Sequence, residues 1–93
     1  MITKKLTKDL KSSDLPPRNA DWHQISLFAL TFDREGFPPK FIQSFDADSS
    51  IEEIRTYLYD QQRWWNNRSV SIDEESFHKM QEAIELIRSK LNL

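Results

Sequence analysis

The chain contains one glycine among its 93 residues, and this scarcity limits the folds that are open to it. Average glycine usage is about 7%. Tight β-hairpins and β-sandwiches usually place glycine at turn positions with positive φ. A chain with so little glycine is better suited to helices joined by short connections, so glycine usage favours an all-α fold.

Residues 21–35 are predicted to form the first helix. Asp21 and Gln24 match a capping box at its start, and Gly36 stands where helices commonly end. The apolar positions recur at helical spacing, and their number predicts that this helix is the most buried of the chain. These positions are Trp22, Ile25, Leu27, Phe28, Ala29, Leu30 and Phe32.

An alternative for this region is a β-hairpin within residues 25–45, which would make the fold α+β. Residues 26–32 are largely apolar and could pair with residues 40–45. No primed-turn dipeptide joins the two segments, and cap signals are present at both ends of residues 21–35. These signals favour the helix over the hairpin.

Residues 50–67 are predicted to form the second helix, with Ser50 and Glu53 as a second capping box. The helix ends in the adjacent tryptophans Trp64 and Trp65. Neighbours on a helix are about 100° apart, so at least one of these rings is expected at the edge of the fold. The predicted core positions are Ile51, Ile54, Leu58 and Trp65, with Tyr57 and Trp64 on a neighbouring stripe.

Residues 73–91 are predicted to form the third helix. Asp73 stands at the N-cap, and Ile72 and Phe77 occupy the positions of a hydrophobic staple. The apolar residues are spaced three and four apart, which is typical of one buried helix face. They are Phe77, Met80, Ile84, Ile87 and Leu91.

The three segments together predict an all-α three-helix bundle that occupies residues 21–93 as a single domain. Residues 1–20 are polar and are predicted to form an N-terminal arm that is ordered only where it docks on the bundle. Apolar side chains between the first two helices are expected to fold back over the helices. They are Phe37, Phe41, Ile42 and Phe45.

Composition excludes several classes of protein. Acidic and basic residues are intermixed, with a net charge of −2, so a field that attracts polyanions over the whole surface is not expected. The absence of cysteine excludes disulfides and thiolate metal sites. No apolar stretch is long enough to span a membrane, and the first residues do not resemble a secretory signal. A cytoplasmic location is therefore expected.

The sequence offers no catalytic, cofactor or metal motif, and we expect none of these sites. His23 and His78 lie on different predicted helices, outside any zinc motif. The segment 46–50 resembles the start of a calcium loop, but the required later ligands are missing. Nothing in the sequence places two carboxylates about one substrate. The carboxylates considered were Asp33, Glu35 and Asp60.

The aromatic and basic cluster at the end of the second helix is the candidate binding region. Tryptophan, tyrosine and arginine are enriched at protein–protein hot spots, so we expect a protein partner, with a homodimer as the simplest case. Single-stranded nucleic acid is the alternative, since arginine and aromatic rings can stack bases, but the acidic segment 73–75 would repel phosphate. The candidate residues are Tyr57, Tyr59, Arg63, Trp64 and Arg68.

Two segments also resemble a family of small bacterial proteins. LFALTFD (residues 27–33) and IR…L…QQRW (residues 54–64) are similar to the FALTFDGY and LR…LFFEQRRW patterns of that family. The chain departs from it at residues 34–36, where a Gly-aromatic pair would be expected, and at Tyr59-Asp60, where Phe-Glu would be. The family has no assigned activity, so the resemblance implies a helical, bacterial, intracellular protein and nothing about its chemistry.

Overall fold

The computed structural model describes residues 10–32, 42, 44–68 and 70–91. It contains three α-helices, α1 (Trp22–Leu30), α2 (Ile51–Asn66) and α3 (Glu74–Lys90), preceded by a short 3₁₀ helix (Ser12–Asp14). No strand occurs among the described residues, so the predicted all-α three-helix bundle is confirmed. The hairpin alternative is wrong for residues 25–32, and the rest of it falls largely outside the described residues.

Each helix starts at the predicted N-cap because a side chain there accepts a hydrogen bond from a backbone N–H three residues later. Asp21 accepts from the backbone N–H of Gln24 at 2.9 Å, and Ser50 accepts from that of Glu53 at 3.1 Å. Both capping boxes are complete, because the Gln24 and Glu53 side chains accept in return from the backbone N–H of the cap. Asp73 accepts from the backbone N–H of Ser76 at 2.7 Å.

The helix α1 ends earlier than predicted. Thr31 is its C-cap, and the backbone N–H of Thr31 donates to the Phe28 carbonyl, three residues back. The hydroxyl of Thr31 donates to the same carbonyl at 2.7 Å and accepts from the guanidinium of Arg55 at 3.0 Å. This contact with α2 fixes Thr31 at the end of the helix. Residues 33–35 of the predicted helix and Gly36 lie outside the described residues.

The helix α2 is the central element, because its contacts with α1 and with α3 are both more extensive than the contact between α1 and α3. Residues 54–58 of α2 are buried on every side. The prediction that α1 is the most buried helix is wrong, since Leu27 and Leu30 each expose 52% of their surface. A short helix on the outside of the bundle can cover only one of its faces.

The core lies where the three helices meet, and every helix contributes to it. Ile25 of α1, Ile54 and Leu58 of α2, and Met80 and Ile87 of α3 are fully buried. Ile72 and Phe77, the predicted hydrophobic staple, pack against this core from the start of α3. No helix in the described part of the chain combines the length and hydrophobicity needed to cross a membrane.

Residues 10–20 pack against the bundle, mainly along α3. Leu15 and Ala20 belong to the core. The guanidinium of Arg88 donates to the Pro16 carbonyl at 2.8 Å, and the amide of Gln81 donates to the Ala20 carbonyl at 3.3 Å. This half of the predicted arm therefore docks, and residues 1–9 lie outside the described residues.

The described part of the connection between α1 and α2 covers one side of α2. Phe45 packs edge-on against Tyr57, with ring centroids 5.0 Å apart. The buried carboxylate of Asp60 accepts from the backbone N–H of Ile42 at 3.0 Å. Ile42 and Phe45 thus fold back over the helices as predicted, whereas Phe37 and Phe41 lie outside the described residues.

Candidate interaction surface

The two adjacent tryptophans at the end of α2 point in different directions. Trp64 exposes 47% of its surface, whereas Trp65 is partly buried and its indole N–H is enclosed. The cause is the helical rotation of about 100° between neighbours, which turns only one of the two rings towards the core. The expectation that one ring lies at the edge of the fold is confirmed by Trp64.

Arg68 covers one side of the Trp64 ring. Its guanidinium carbon lies 3.5 Å from the ring centroid, which is a close cation–π stack. Arg68 follows the C-cap Asn67, so the chain has left the helix at this point and can bring the guanidinium back over the ring. Trp64, Asn67 and Arg68 together line a shallow depression of about 310 Å³.

Arg63 and Tyr59 form a second arginine–aromatic pair on α2. The guanidinium carbon of Arg63 lies 5.9 Å from the centroid of the Tyr59 ring. Both residues lie within α2, where a spacing of four residues brings side chains together. Arg63 is exposed and Tyr59 is partly buried.

The two stacked guanidiniums have no ionic partner in the described part of the chain. No described carboxylate lies within salt-bridge distance of Arg63 or Arg68. Stacking uses the face of a guanidinium and leaves the N–H groups at its edge free to donate to carboxylates or phosphates. The end of α2 therefore presents two cations that lack an ionic partner among the described residues, and Arg68 is held in a close stack.

Val70 adds an apolar side chain that the sequence analysis missed. It exposes 61% of its surface and lines a depression of about 420 Å³ together with Arg68, Trp65 and Trp22. The signal in the sequence was an apolar residue with a serine on either side, in the connection between two helices. We call Arg63, Trp64, Asn67, Arg68 and Val70 the Trp64 surface.

Tyr57 lies away from this surface, in the core. It is only 3% exposed and packs against Phe45. Burial, and secondarily the negative charge of Glu82, raises the pKa of Tyr57 to about 12. Of the five candidate residues, Trp64 and Arg68 are in contact on the surface. Arg63 is exposed at the same end of α2, next to Tyr59, and Tyr57 lies inside.

A buried arginine near the start of α2 has a different environment from Arg63 and Arg68. Arg55 is 4% exposed, and its guanidinium carbon lies 5.5 Å from the Phe28 ring centroid and 5.0 Å from that of Phe32. Burial lowers the pKa of Arg55, while the charges of Asp14 and Glu52 oppose this shift. Its contacts join α1 to α2, so its role is in packing.

Among the described residues, the histidines and carboxylates named in the sequence analysis do not converge on one site. No group of three or more metal-binding side chains occurs among the described residues. His23 and His78 are exposed on α1 and α3. Asp46 accepts from the backbone N–H of Asp48 at 2.9 Å, which makes the segment 46–50 a polar turn before α2. Asp60 accepts a hydrogen bond from the backbone N–H of Ile42. Asp33 and Glu35 lie outside the described residues.

No family model matches this chain, and no curated protein or solved structure is significantly similar to it. The resemblance of residues 27–33 and 54–64 to a bacterial family therefore stays a prediction.

Proposed function

We propose that this chain is a small protein-interaction module that binds its partner through the Trp64 surface. The observation that carries this proposal is the half-exposed ring of Trp64 under the guanidinium of Arg68. Tryptophan and arginine are the residue types most enriched among the side chains that dominate binding energy. Val70 extends the exposed apolar area beside them.

The stacked arrangement favours binding because it lowers the entropy cost of association. Immobilising a free, rotamer-rich side chain at an interface costs on the order of 0.5–1.5 kcal/mol. Arg68 already rests on Trp64, and Arg63 already rests on Tyr59. The positions of these side chains are therefore largely fixed before a partner binds, and the N–H groups at the guanidinium edges can donate hydrogen bonds to it.

Self-association is the simplest form of this function. A chain of this length buries a limited fraction of its surface on folding, so shared apolar surface stabilises it, and closed homodimers are the commonest oligomers. We expect the chain to sediment as a dimer at micromolar concentration and Trp64→Ala to shift it towards monomer. The substitution removes a half-exposed side chain, so the fold should be retained, and a circular dichroism spectrum of the variant checks this.

A pair of exposed leucines on α1 is the alternative candidate for the dimer contact. Leu27 and Leu30 lie on the outer side of α1, each 52% exposed. The double variant Leu27→Ala/Leu30→Ala is therefore the matched comparison in the same sedimentation experiment. Loss of the dimer in this variant but not in Trp64→Ala would reject the Trp64 surface as the contact.

Nucleic-acid binding is the second candidate, and it is favoured by the two guanidiniums that lack an ionic partner in the described part of the chain. Their free edges could contact phosphates while the neighbouring rings stack bases. Glu74 and Glu75, which follow closely in the chain, would repel the same phosphates. Titration with labelled single- and double-stranded oligonucleotides over a salt series decides the point. Absence of binding, or binding that does not weaken with salt, rejects this candidate.

The cellular setting is also part of the proposal. The chain has no cysteine, as suits a reducing compartment, and its resemblance to a bacterial family indicates a bacterial protein. We therefore place its interaction in the bacterial cytoplasm. Tracking a fluorescent fusion in the native cell would test this location, and export from the cell would contradict it.

A further inference from the structure

Two acidic side chains on the surface, like Arg63 and Arg68, lack an ionic partner among the described residues. Glu74 and Glu75 lie in the first turn of α3, and no described cation is within salt-bridge distance of either. The other acids on this outer face are engaged. Glu85 pairs with Arg18 and Arg88, and Glu82 with Lys79.

The two glutamates line a concave region on the outside of α3. This depression has a volume of about 620 Å³, and His78, Lys79 and Glu82 complete its lining. Lys79 pairs with Glu82, another lining residue, at 4.0 Å, so these two charges offset each other and those of Glu74 and Glu75 remain. The depression is therefore acidic, with room for a side chain from another molecule.

These two arginines and two glutamates are close to each other in the chain. Arg68 ends the Trp64 surface, and Glu74 begins α3 after only residues 69–73. Both kinds of charge thus flank the short connection between the end of α2 and the start of α3. A two-fold dimer requires this arrangement, because each copy must offer both halves of the contact on the same patch.

From this complementarity we infer that the partner of the Trp64 surface is a second copy of the chain. Arg63 and Arg68 of each copy pair with Glu74 and Glu75 of the other, reciprocally about a two-fold axis, and Trp64 is placed against the acidic depression. The inference rests on the proposed function and specifies its partner. Each copy contributes two arginines and two glutamates that lack an ionic partner among the described residues, so the four charges can be matched across the dimer. Asp73, beside them, is engaged as the N-cap of α3.

The test is a reciprocal charge exchange. Arg63→Glu/Arg68→Glu gives an all-acidic patch, and Glu74→Lys/Glu75→Lys gives an all-basic patch. Each variant alone should dimerise at least about tenfold more weakly than the wild type, since like charges then face each other. An equimolar mixture should recover association as a heterodimer, detected by sedimentation with a label on one variant.

Controls separate a lost contact from a lost fold. Lysines in the first turn of α3 oppose the helix dipole, so Glu74→Gln/Glu75→Gln provides a milder variant that removes the charges without reversing them. It should weaken the dimer while retaining the helical circular dichroism spectrum. Lys11→Glu changes an exposed charge outside the patch and should leave the dissociation constant unchanged.

The outcomes distinguish this inference from the proposed function. A dimer that is lost in Trp64→Ala but unaffected by every charge variant would overturn the reciprocal pairing and leave the Trp64 surface as the contact. Failure of the mixture to recover association, when both variants are folded, would also overturn it. A wild type that stays monomeric at high micromolar concentration would remove self-association itself.

Discussion

The guanidinium of Arg68 lies over the indole of Trp64, with its carbon 3.5 Å from the ring centroid. This contact joins the last turn of α2 to the first residues of the connection to α3. It orders an arginine that would otherwise be free in solvent, and it shields one face of a tryptophan that is still 47% exposed. The pair is the centre of the proposed contact, and its properties can be measured in the free protein.

Arg68→Ala should leave the Trp64 ring more exposed to water. We expect a red shift of the tryptophan emission and a loss of stability of about 0.5–1 kcal/mol, the usual size of an exposed cation–π contact. The measurement is a pair of emission spectra with urea unfolding curves. In a Trp64→Phe background the red shift should vanish, and a shift that persists there would show that another tryptophan reports the change.

Arg55→Ala should destabilise the fold far more than the loss of an exposed arginine. The side chain is buried between the Phe28 and Phe32 rings and donates to Thr31. Its removal leaves a void between α1 and α2 and removes contacts that join them. We therefore expect the free energy of unfolding, measured in urea, to fall by about 2–4 kcal/mol.

The matched control for this prediction is Arg18→Ala. Arg18 pairs with Glu85 at the surface, with its side chain 69% exposed. Surface ion pairs contribute about 0–1 kcal/mol, so this variant should unfold close to the wild type. Equal losses in the two variants would contradict a special role for the buried guanidinium.

Tyr57 should make the fold sensitive to high pH. Burial raises its pKa in the folded state to about 12, whereas a tyrosine in the unfolded chain titrates near 10. The folded state therefore holds the phenol proton more tightly. This contribution to stability is fully present below about pH 10 and is lost as the pH rises towards 12.

Tyr57→Phe removes this group, so its stability should decline less than that of the wild type between about pH 8 and pH 11, by on the order of 1 kcal/mol. Urea unfolding at the two pH values measures the difference. Tyr59→Phe makes the same chemical change at a partly buried tyrosine beneath Arg63. An identical pH dependence for both variants would show that burial of Tyr57 is not the cause.

Gln62→Leu should stabilise the protein. Gln62 is 4% exposed, and its side-chain carbonyl oxygen is buried without a hydrogen-bond partner among the described residues. An unsatisfied buried polar atom costs roughly 1–3 kcal/mol, and leucine offers a similar volume without that cost. We expect the free energy of unfolding, measured by heat or urea, to rise by about 1 kcal/mol.

Gln61→Leu is the neighbouring control for this substitution. Gln61 is only partly buried, so the same change there should alter stability by less than about 0.5 kcal/mol. A destabilised Gln62→Leu variant, or equal gains at both positions, would show that the buried carbonyl is satisfied in solution.

The starts of all three helices could be predicted from the sequence because an N-cap is a local interaction. Asp21, Ser50 and Asp73 each bond a backbone N–H three residues ahead, so neither partner depends on the rest of the fold. The end of α1 could not be predicted in this way. It is held by the contact between Thr31 and Arg55, which are 24 residues apart.

The candidate surface was only partly predictable, as Tyr57 and Trp64 show. The two residues are seven apart on α2 and lie on the same stripe of the helix. Their positions in the sequence therefore predict the same exposure for both. In the fold, Phe45 covers Tyr57, which is 3% exposed, while Trp64 stays 47% exposed. Whether an aromatic ring on this stripe is buried depends on where a distant segment packs.

The sequence by itself determined that this protein has three capped helices with apolar faces and an aromatic, basic end to α2. These properties follow from hydrogen bonds and side-chain spacing within a few residues of each position. Only the tertiary structure decided that α2 is central, that Leu27 and Leu30 face outwards, and that Arg68 returns over Trp64. These features depend on which distant surfaces meet, and the burial that selects them is set by the whole packed chain.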